Sequence, residues 1–353
     1  MPTIKKQTWA NLSVDNKLTI LTQVAAKTGL PENAIEKDFW VSMVLKALFS
    51  LEYSHNLIFK GGTSLSKGWQ LIERFSEDID LAINPVQFGF SGTTIIVKNQ
   101  RDKLRKASKK FIETILKDDF KKTIEEMGLK NYCSIEAEQV KESDRDPMVL
   151  FVNYKSVLKE KNTYIAEKVK LEISCRSLVE PSDKIHLRSM IASENPTENY
   201  SEKEFPVRVA APGRTFLEKV FLLHEEFNRP NGCVNLNRLT RHMYDIEKMM
   251  DKPFAKQAME DPTLYTEIVK HRSIMTAWSG LDYKAHHPST ICFVPPASVL
   301  PKLRDDYKKM QDNFIYGDSL SFEKLMERLQ ELQNRFRNLE CNTEFFNKLI
   351  DKD

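Results

Sequence analysis

Apolar positions recur at helical spacing through the first fifty residues. A helix is predicted over about Val14 to Thr28, stopped by Gly29, and a second over about Pro31 to Leu51. Pro31 suits a first helical turn, and Ile35, Phe39 and Met43 repeat at four-residue spacing, so both helices face a core. Leu57-Ile58-Phe59 then forms a short apolar strand that runs into Lys60-Gly61-Gly62-Thr63-Ser64, and Leu65, Trp69 and Ile72 lie on one face of a further helix. Ile79, Leu81 and Ile83 alternate with Asp78, Asp80 and Ala82, which predicts a strand with both aspartates on one face. A long helix over residues 98–128 follows, with apolar Leu104, Phe111, Ile115 and Leu116, and then strands at about Cys133 to Glu138, Met148 to Leu158 and Glu167 to Cys175. Beyond Pro212 helical patterns take over, interrupted by prolines around residues 288–301. The fold class is therefore α+β, with a mixed-sheet core and flanking helices in residues 1–210 and a helical domain in residues 211–353.

The chain has 353 residues, of which 41% are hydrophobic and 29% charged, the composition of an ordinary globular protein. Its 53 basic against 50 acidic residues leave a net charge of +3, so any nucleic-acid surface must be local. Apolar runs such as Val220 to Leu223 are far too short to span a membrane. The polar N-terminal stretch has no apolar region behind it, which predicts a cytoplasmic protein. Cys133, Cys175, Cys233, Cys292 and Cys341 are scattered and form no C-x-x-C, so they are expected to be buried thiols. No histidine has a partner at metal-ligand spacing, and no histidine chemistry is assigned.

The chemistry is concentrated in residues 61–80. Two acids at i and i+2 on a strand project side by side, and a cation relieves their repulsion. Mg²⁺, a hard ion that takes one or two carboxylates plus phosphate oxygens, fits Asp78 and Asp80; the competing reading is a solvated strand face. Gly61 and Gly62 leave room for a phosphate, while Thr63, Ser64 and the backbone N–H groups beside them are ready donors to anionic oxygen. The turn is neither a P-loop nor a dinucleotide fingerprint. A glycine turn followed about fifteen residues later by an acidic strand nevertheless brings phosphate donors beside metal ligands.

Phe59-Lys60-Gly61-Gly62-Thr63-Ser64-Leu65-Ser66-Lys67 followed by Arg74-Phe75-Ser76-Glu77-Asp78-Ile79-Asp80-Leu81 resembles the nucleotidyltransferases of the AbiEii/AbiGii toxin family, within the polymerase-β-like superfamily. The likeness covers roughly residues 30–330, including Glu36-Lys37-Asp38-Phe39-Trp40. It implies a nucleotidyltransferase fold in which Gly61, Gly62, Thr63, Ser64, Lys67, Arg74 and Ser76 contact a nucleoside triphosphate and Asp78 and Asp80 bind Mg²⁺. Glu172, in Lys168-Val169-Lys170-Leu171-Glu172-Ile173-Ser174, is the candidate third carboxylate, as a base or a metal ligand; the alternative is a salt bridge with Lys170 on an edge strand. Arg214-Thr215-Phe216-Leu217-Glu218-Lys219 resembles the family's R-T-x-x-E-K motif, which would make Lys219 a catalytic cation. Arg241 to Asp245 resembles its R-x-x-Y-D segment, which implicates Asp245 in activity; the alternative is an intrahelical pair with Arg241. Glu36, Lys37 and Asp38 are expected to brace the core.

The resemblance also implies transfer of a nucleoside monophosphate from an NTP to an acceptor hydroxyl, with RNA such as a tRNA 3′ end as acceptor. An antitoxin partner and a part in phage defence belong to the same implication. Lys98, Arg101, Lys103, Arg105, Lys106, Lys109 and Lys110, against the single acid Asp102, could touch an RNA backbone or form a solvated helix face. Two rival readings remain: a nucleotide-binding interaction protein without turnover, and an RNA-binding protein without catalysis.

Overall fold

A computed structural model describes residues 8–90, 98–159, 166–230, 234–341 and 343–351. Cys233 and the side chain of Lys98 lie outside the described residues, as does the N-terminal stretch before Thr8. The chain divides into two compact units. The first comprises Met1–Gly68, Phe75–Gly92 and Asp102–Val209; the second comprises Trp69–Arg74, Thr93–Arg101 and Ala210–Asp353.

The first unit opens with helix α1 (Val14–Thr28), capped by the Ser13 hydroxyl and ended by Gly29 at φ 70, the left-handed position that favours glycine. Helix α2 (Glu32–Leu48) starts one residue later than its sequence suggests, with Pro31 just outside its first turn. It is buried nearly all round, and its charged residues Glu36, Lys37 and Asp38 are buried with the rest. Trp9 packs against Phe39, and Trp40 stacks on Tyr154 at 5.4 Å.

The sheet has seven strands: β1 (Leu57–Lys60), β2 (Ile79–Ile83), β3 (Cys133–Ala137), β4 (Met148–Tyr154), β5 (Lys168–Ser174), β6 (Ser182–Leu187) and β7 (Phe205–Ala210). Their spatial order is β3-β4-β5-β2-β1-β7-β6. β2 runs antiparallel to β1 and parallel to β5, so the sheet is mixed. Ile79, Leu81 and Ile83 of β2 and Val169, Leu171 and Ile173 of β5 are all buried on one face of the sheet. The alternate residues Asp80, Lys170 and Glu172 are half-buried on the opposite face.

The helix expected after the glycine turn is shorter than the apolar spacing implies. A single turn, Gly61–Thr63, passes into a π-turn over Ser64–Gly68 and stops. Gln70, at φ 53, is left-handed, so Trp69 and Ile72 cannot share a helical face with Leu65. The long helix at residues 98–128 is α3 (Lys98–Phe111), a π-turn (Ile112–Leu116) and α4 (Lys117–Glu126).

The second unit is built of helices around α5 (Pro212–Phe227), whose Phe216, Leu217, Val220, Phe221 and Leu223 are buried. Around it lie α6 (Thr240–Met249), α7 (Pro253–Glu260), α8 (Pro262–Met275), α9 (Leu300–Asn313) and α10 (Phe322–Arg337). Phe221 meets Tyr265 edge-on at 4.8 Å, and Phe216 stacks with Phe336. Among the described residues no helix is long and apolar enough to cross a membrane. Of the described cysteines only Cys175 is buried; Cys133, Cys292 and Cys341 are partly exposed, contrary to the expectation of buried thiols, Cys133 opening an edge strand and Cys292 and Cys341 lying outside the helices and strands.

Candidate active site

In the first unit the strand pairing sets the geometry of the acidic residues. Asp80 lies opposite Lys60 of β1 and opposite Glu172 of β5, so two carboxylates stand side by side on adjacent parallel strands. Asp78 immediately precedes β2 and, like Asp80, is half-buried. Burial and the neighbouring Glu77 push the Asp78 carboxyl above its usual range, against the pull of Lys170 and Lys37.

The glycine turn is fitted against this strand. Gly61 has φ 78, and a Cβ built there would fall 2.0 Å from Asp80 Oδ2. Glycine is therefore required twice, by its backbone and by the approach of the carboxylate. The Thr63 and Ser64 hydroxyls, expected to be ready donors, are buried and engaged internally. Thr63 Oγ1 is hydrogen-bonded to Ser76 Oγ at 2.9 Å and to the Asp78 carbonyl, and Ser64 Oγ donates to the Gly61 carbonyl at 2.8 Å. Thr63 thus ties the turn to the segment entering β2, and Ser64 closes the turn on itself. Lys67, expected at the nucleotide, instead donates to Asp38 Oδ1 at 2.6 Å and to the Arg188 carbonyl at 3.1 Å. Asp38 also accepts the Met190 N–H at 2.7 Å. Lys37 pairs with Glu77 at 2.7 Å, and Glu36 accepts from Ser156 and from the Val157 N–H. Glu36, Lys37 and Asp38 of α2 therefore brace the unit.

Glu172 forms an ion pair with Lys170, two residues before it on the same face. β5 lies between β4 and β2, so this is an interior strand and not an edge. Burial opposes the charge on Lys170, but Glu172, Asp78 and Asp80 outweigh it and hold the ammonium protonated. With Glu172 turned to Lys170, no three His, Cys, Asp or Glu side chains among the described residues are gathered as a metal-binding group. Two half-buried carboxylates that repel one another still suit a hard cation that completes its shell with phosphate and water. The Lys170–Glu172 pair is the salt bridge that the i, i+2 spacing offered as the alternative role for Glu172, here on an interior strand.

The second unit holds the other candidates. Its Trp69–Arg74 segment is fixed by a bridge between Arg74 and Ile315 and by the Tyr316 N–H donating to the Glu73 carbonyl at 3.1 Å. Arg74 grips Asp245 through Nε at 2.7 Å and Nη2 at 2.8 Å, and Lys219 reaches the same carboxylate at 2.9 Å. All three side chains are buried, with Asp245 fully so. Burial alone would raise the Asp245 carboxyl, but the two cations outweigh it and hold it at about 2. Lys219 also lies 3.3 Å from His242 Nδ1, and burial together with that ammonium depresses the imidazole to about 3. Arg74, Lys219 and Asp245 are thus one cluster, and the guanidinium on Asp245 comes from 171 residues away in the chain.

The sequence profile described as nucleotidyl transferase AbiEii toxin, type IV toxin–antitoxin system, matches residues 44–328, a span that leaves out Glu36 to Trp40. No curated protein matches the chain. With the profile covering most of its length, and with the glycine turn and the acidic strand packed together inside that span, the chain belongs to the AbiEii nucleotidyl transferase toxin family and is a nucleotidyltransferase.

Proposed function

We propose that the protein transfers a nucleoside monophosphate from an NTP to an acceptor hydroxyl on RNA, such as a tRNA 3′ end, with Mg²⁺ held by Asp78 and Asp80. The observation that carries the reading is the packing of Gly61 against Asp80 while Asp80 stands in register with Glu172. This puts a turn without side chains beside a strand of carboxylates, the combination that a triphosphate and its cation need. When bound, the cation neutralises and orients phosphate oxygens. The chain's own contributions are distinct from it. Gly61 and Gly62 let the triphosphate approach the backbone, Thr63 and Ser64 with Ser76 keep the turn rigid, and Glu172 completes the acidic set as the candidate acceptor of the hydroxyl proton.

In the helical unit Lys219 supplies positive charge for the reaction, and Asp245 with Arg74 orients it. The toxin–antitoxin family supports a cognate antitoxin as partner, and a cytoplasmic site of action belongs to the same proposal. The test is incorporation of label from each α-³²P-NTP into total RNA by the purified protein. Transfer to RNA with a preference for one base is the expected result. Label appearing in protein, or none with any base in the presence of Mg²⁺, would overturn the assignment.

A further inference from the structure

Asp80 and Glu172 lie in register on adjacent strands and Asp78 immediately precedes β2, and three carboxylates so placed repel unless a positive charge sits among them. Lys170 is on the same face as Glu172 and pairs with it. Phe151 of β4 stands opposite Lys170 in register, and the Lys168 ammonium lies over the Phe151 ring at 4.6 Å, so Lys170 is the lysine of β5 that pairs with Glu172. The pair is also reachable from solvent, with the Lys170 and Glu172 side chains 36% and 31% exposed. An ion pair of this exposure is weak, so it can be displaced by a stronger charge.

We infer that Lys170 is the resident counter-ion of the carboxylate site: its ammonium holds Glu172 and stands where a divalent cation's charge would otherwise be required, so that free metal binds poorly and the cation enters with the triphosphate. A divalent ion arriving alone meets a like charge already seated among its ligands. A metal–triphosphate complex brings anionic oxygens on which the displaced ammonium can settle, so its entry leaves no uncompensated charge. The inference rests on the metal-binding reading of Asp78 and Asp80, and it makes Lys170 a positioning residue that sets the order of binding.

The experiment is a titration of the full chain with Mn²⁺ and no nucleotide, followed by the paramagnetic resonance of free Mn²⁺, for the wild type, Lys170→Met, Lys170→Arg and Asp80→Asn. Lys170→Met is expected to bind Mn²⁺ about tenfold more tightly than the wild type, the scale of one removed like charge near a partly solvated site. Lys170→Arg should stay near the wild type, and Asp80→Asn should abolish binding. In EDTA the Lys170→Met protein should melt below the wild type and recover on addition of Mn²⁺. Lys170→Gln, measured in parallel, guards against a packing effect of Met. An Asp80-dependent Mn²⁺ site whose affinity is unchanged or weakened in both neutral variants overturns the role of Lys170 alone. Binding that survives Asp80→Asn overturns the metal site and this inference with it.

Discussion

Gly61 is where backbone conformation and site chemistry meet. Its φ of 78 and the 2.0 Å approach of Asp80 Oδ2 to an added Cβ leave no room for any side chain. Gly61→Ala therefore carries about 1–3 kcal/mol of backbone strain and also displaces the carboxylate. We expect nucleotide transfer to fall about a hundredfold, the consequence of moving a reacting group by an ångström, together with a lower melting temperature. Ser64→Ala removes one internal hydrogen bond of about 1 kcal/mol and should leave the rate within a few-fold of the wild type. Initial rates of label transfer with melting curves check both, and a Gly61→Ala protein with wild-type transfer would show that the close approach has no part in the reaction. At this scale the motif was readable because glycine spacing and acid alternation are local. The sequence offered Gly61 and Gly62 alike; the steric demand on Gly61 was hidden because it depends on a carboxylate nineteen positions downstream.

Among the elements, the buried charges of the helical unit set its stability. Asp245 between Arg74 and Lys219 is a buried carboxylate with two cations, and neutralising it leaves both without their counter-charge. Asp245→Asn should cost about 3–5 kcal/mol, measured by urea unfolding. An unchanged midpoint would contradict the pairing. Lys219→Ala should cost less, because Arg74 still compensates Asp245, so a large loss of transfer with a small loss of stability marks the contribution of Lys219 to the reaction. The depressed Asp245 carboxyl adds stability that is complete above its unfolded value near 3.8 and disappears as pH falls towards about 2.

Between α5 and the Tyr283–His286 turn, His224 and His286 lie 4.4 Å apart and are almost wholly buried. Burial and the facing imidazole lower His224 to about 3, while His286 is lowered by burial against the pull of Glu225, itself held by Arg272. His224 Nδ1 lies 3.0 Å from the Cys292 nitrogen and 3.1 Å from its carbonyl oxygen, and burial favours the neutral ring. Both rings bind protons more weakly in the folded than in the unfolded chain, so stability is full above about 6.5 and declines as pH falls below it. The urea midpoint should therefore drop between pH 6.5 and 5, where carboxylates are still ionised. A flat profile over that interval would contradict the neutral histidine pair.

These clusters were invisible in the sequence. The Asp245 partner that periodicity suggested was Arg241, four residues away, whereas the guanidinium on that carboxylate belongs to Arg74. The Arg241 guanidinium packs over the Phe314 ring at 4.8 Å. β6 and β7 escaped for another reason. Ser182–Leu187 has little apolar alternation, and Pro206 stands inside β7, where a proline discourages a strand reading.

For the whole molecule, the acidic residues and the glycine turn belong to the sheet unit, while Arg74, Lys219 and Asp245 belong to the helical unit. The strands were legible because β1 is a short apolar run and β2 and β5 carry local apolar alternation, but their order was not, since β5 pairs with β2 across about ninety residues of chain. That non-local pairing puts Glu172 beside Asp80, and Asp80 is the residue on which the account turns. The direct test is label transfer from the preferred α-³²P-NTP at fixed Mg²⁺ by the wild type and by Asp80→Asn, with melting curves on both. The account predicts transfer to RNA by the wild type and none by an Asp80→Asn protein that melts cooperatively; undiminished transfer by folded Asp80→Asn would contradict it.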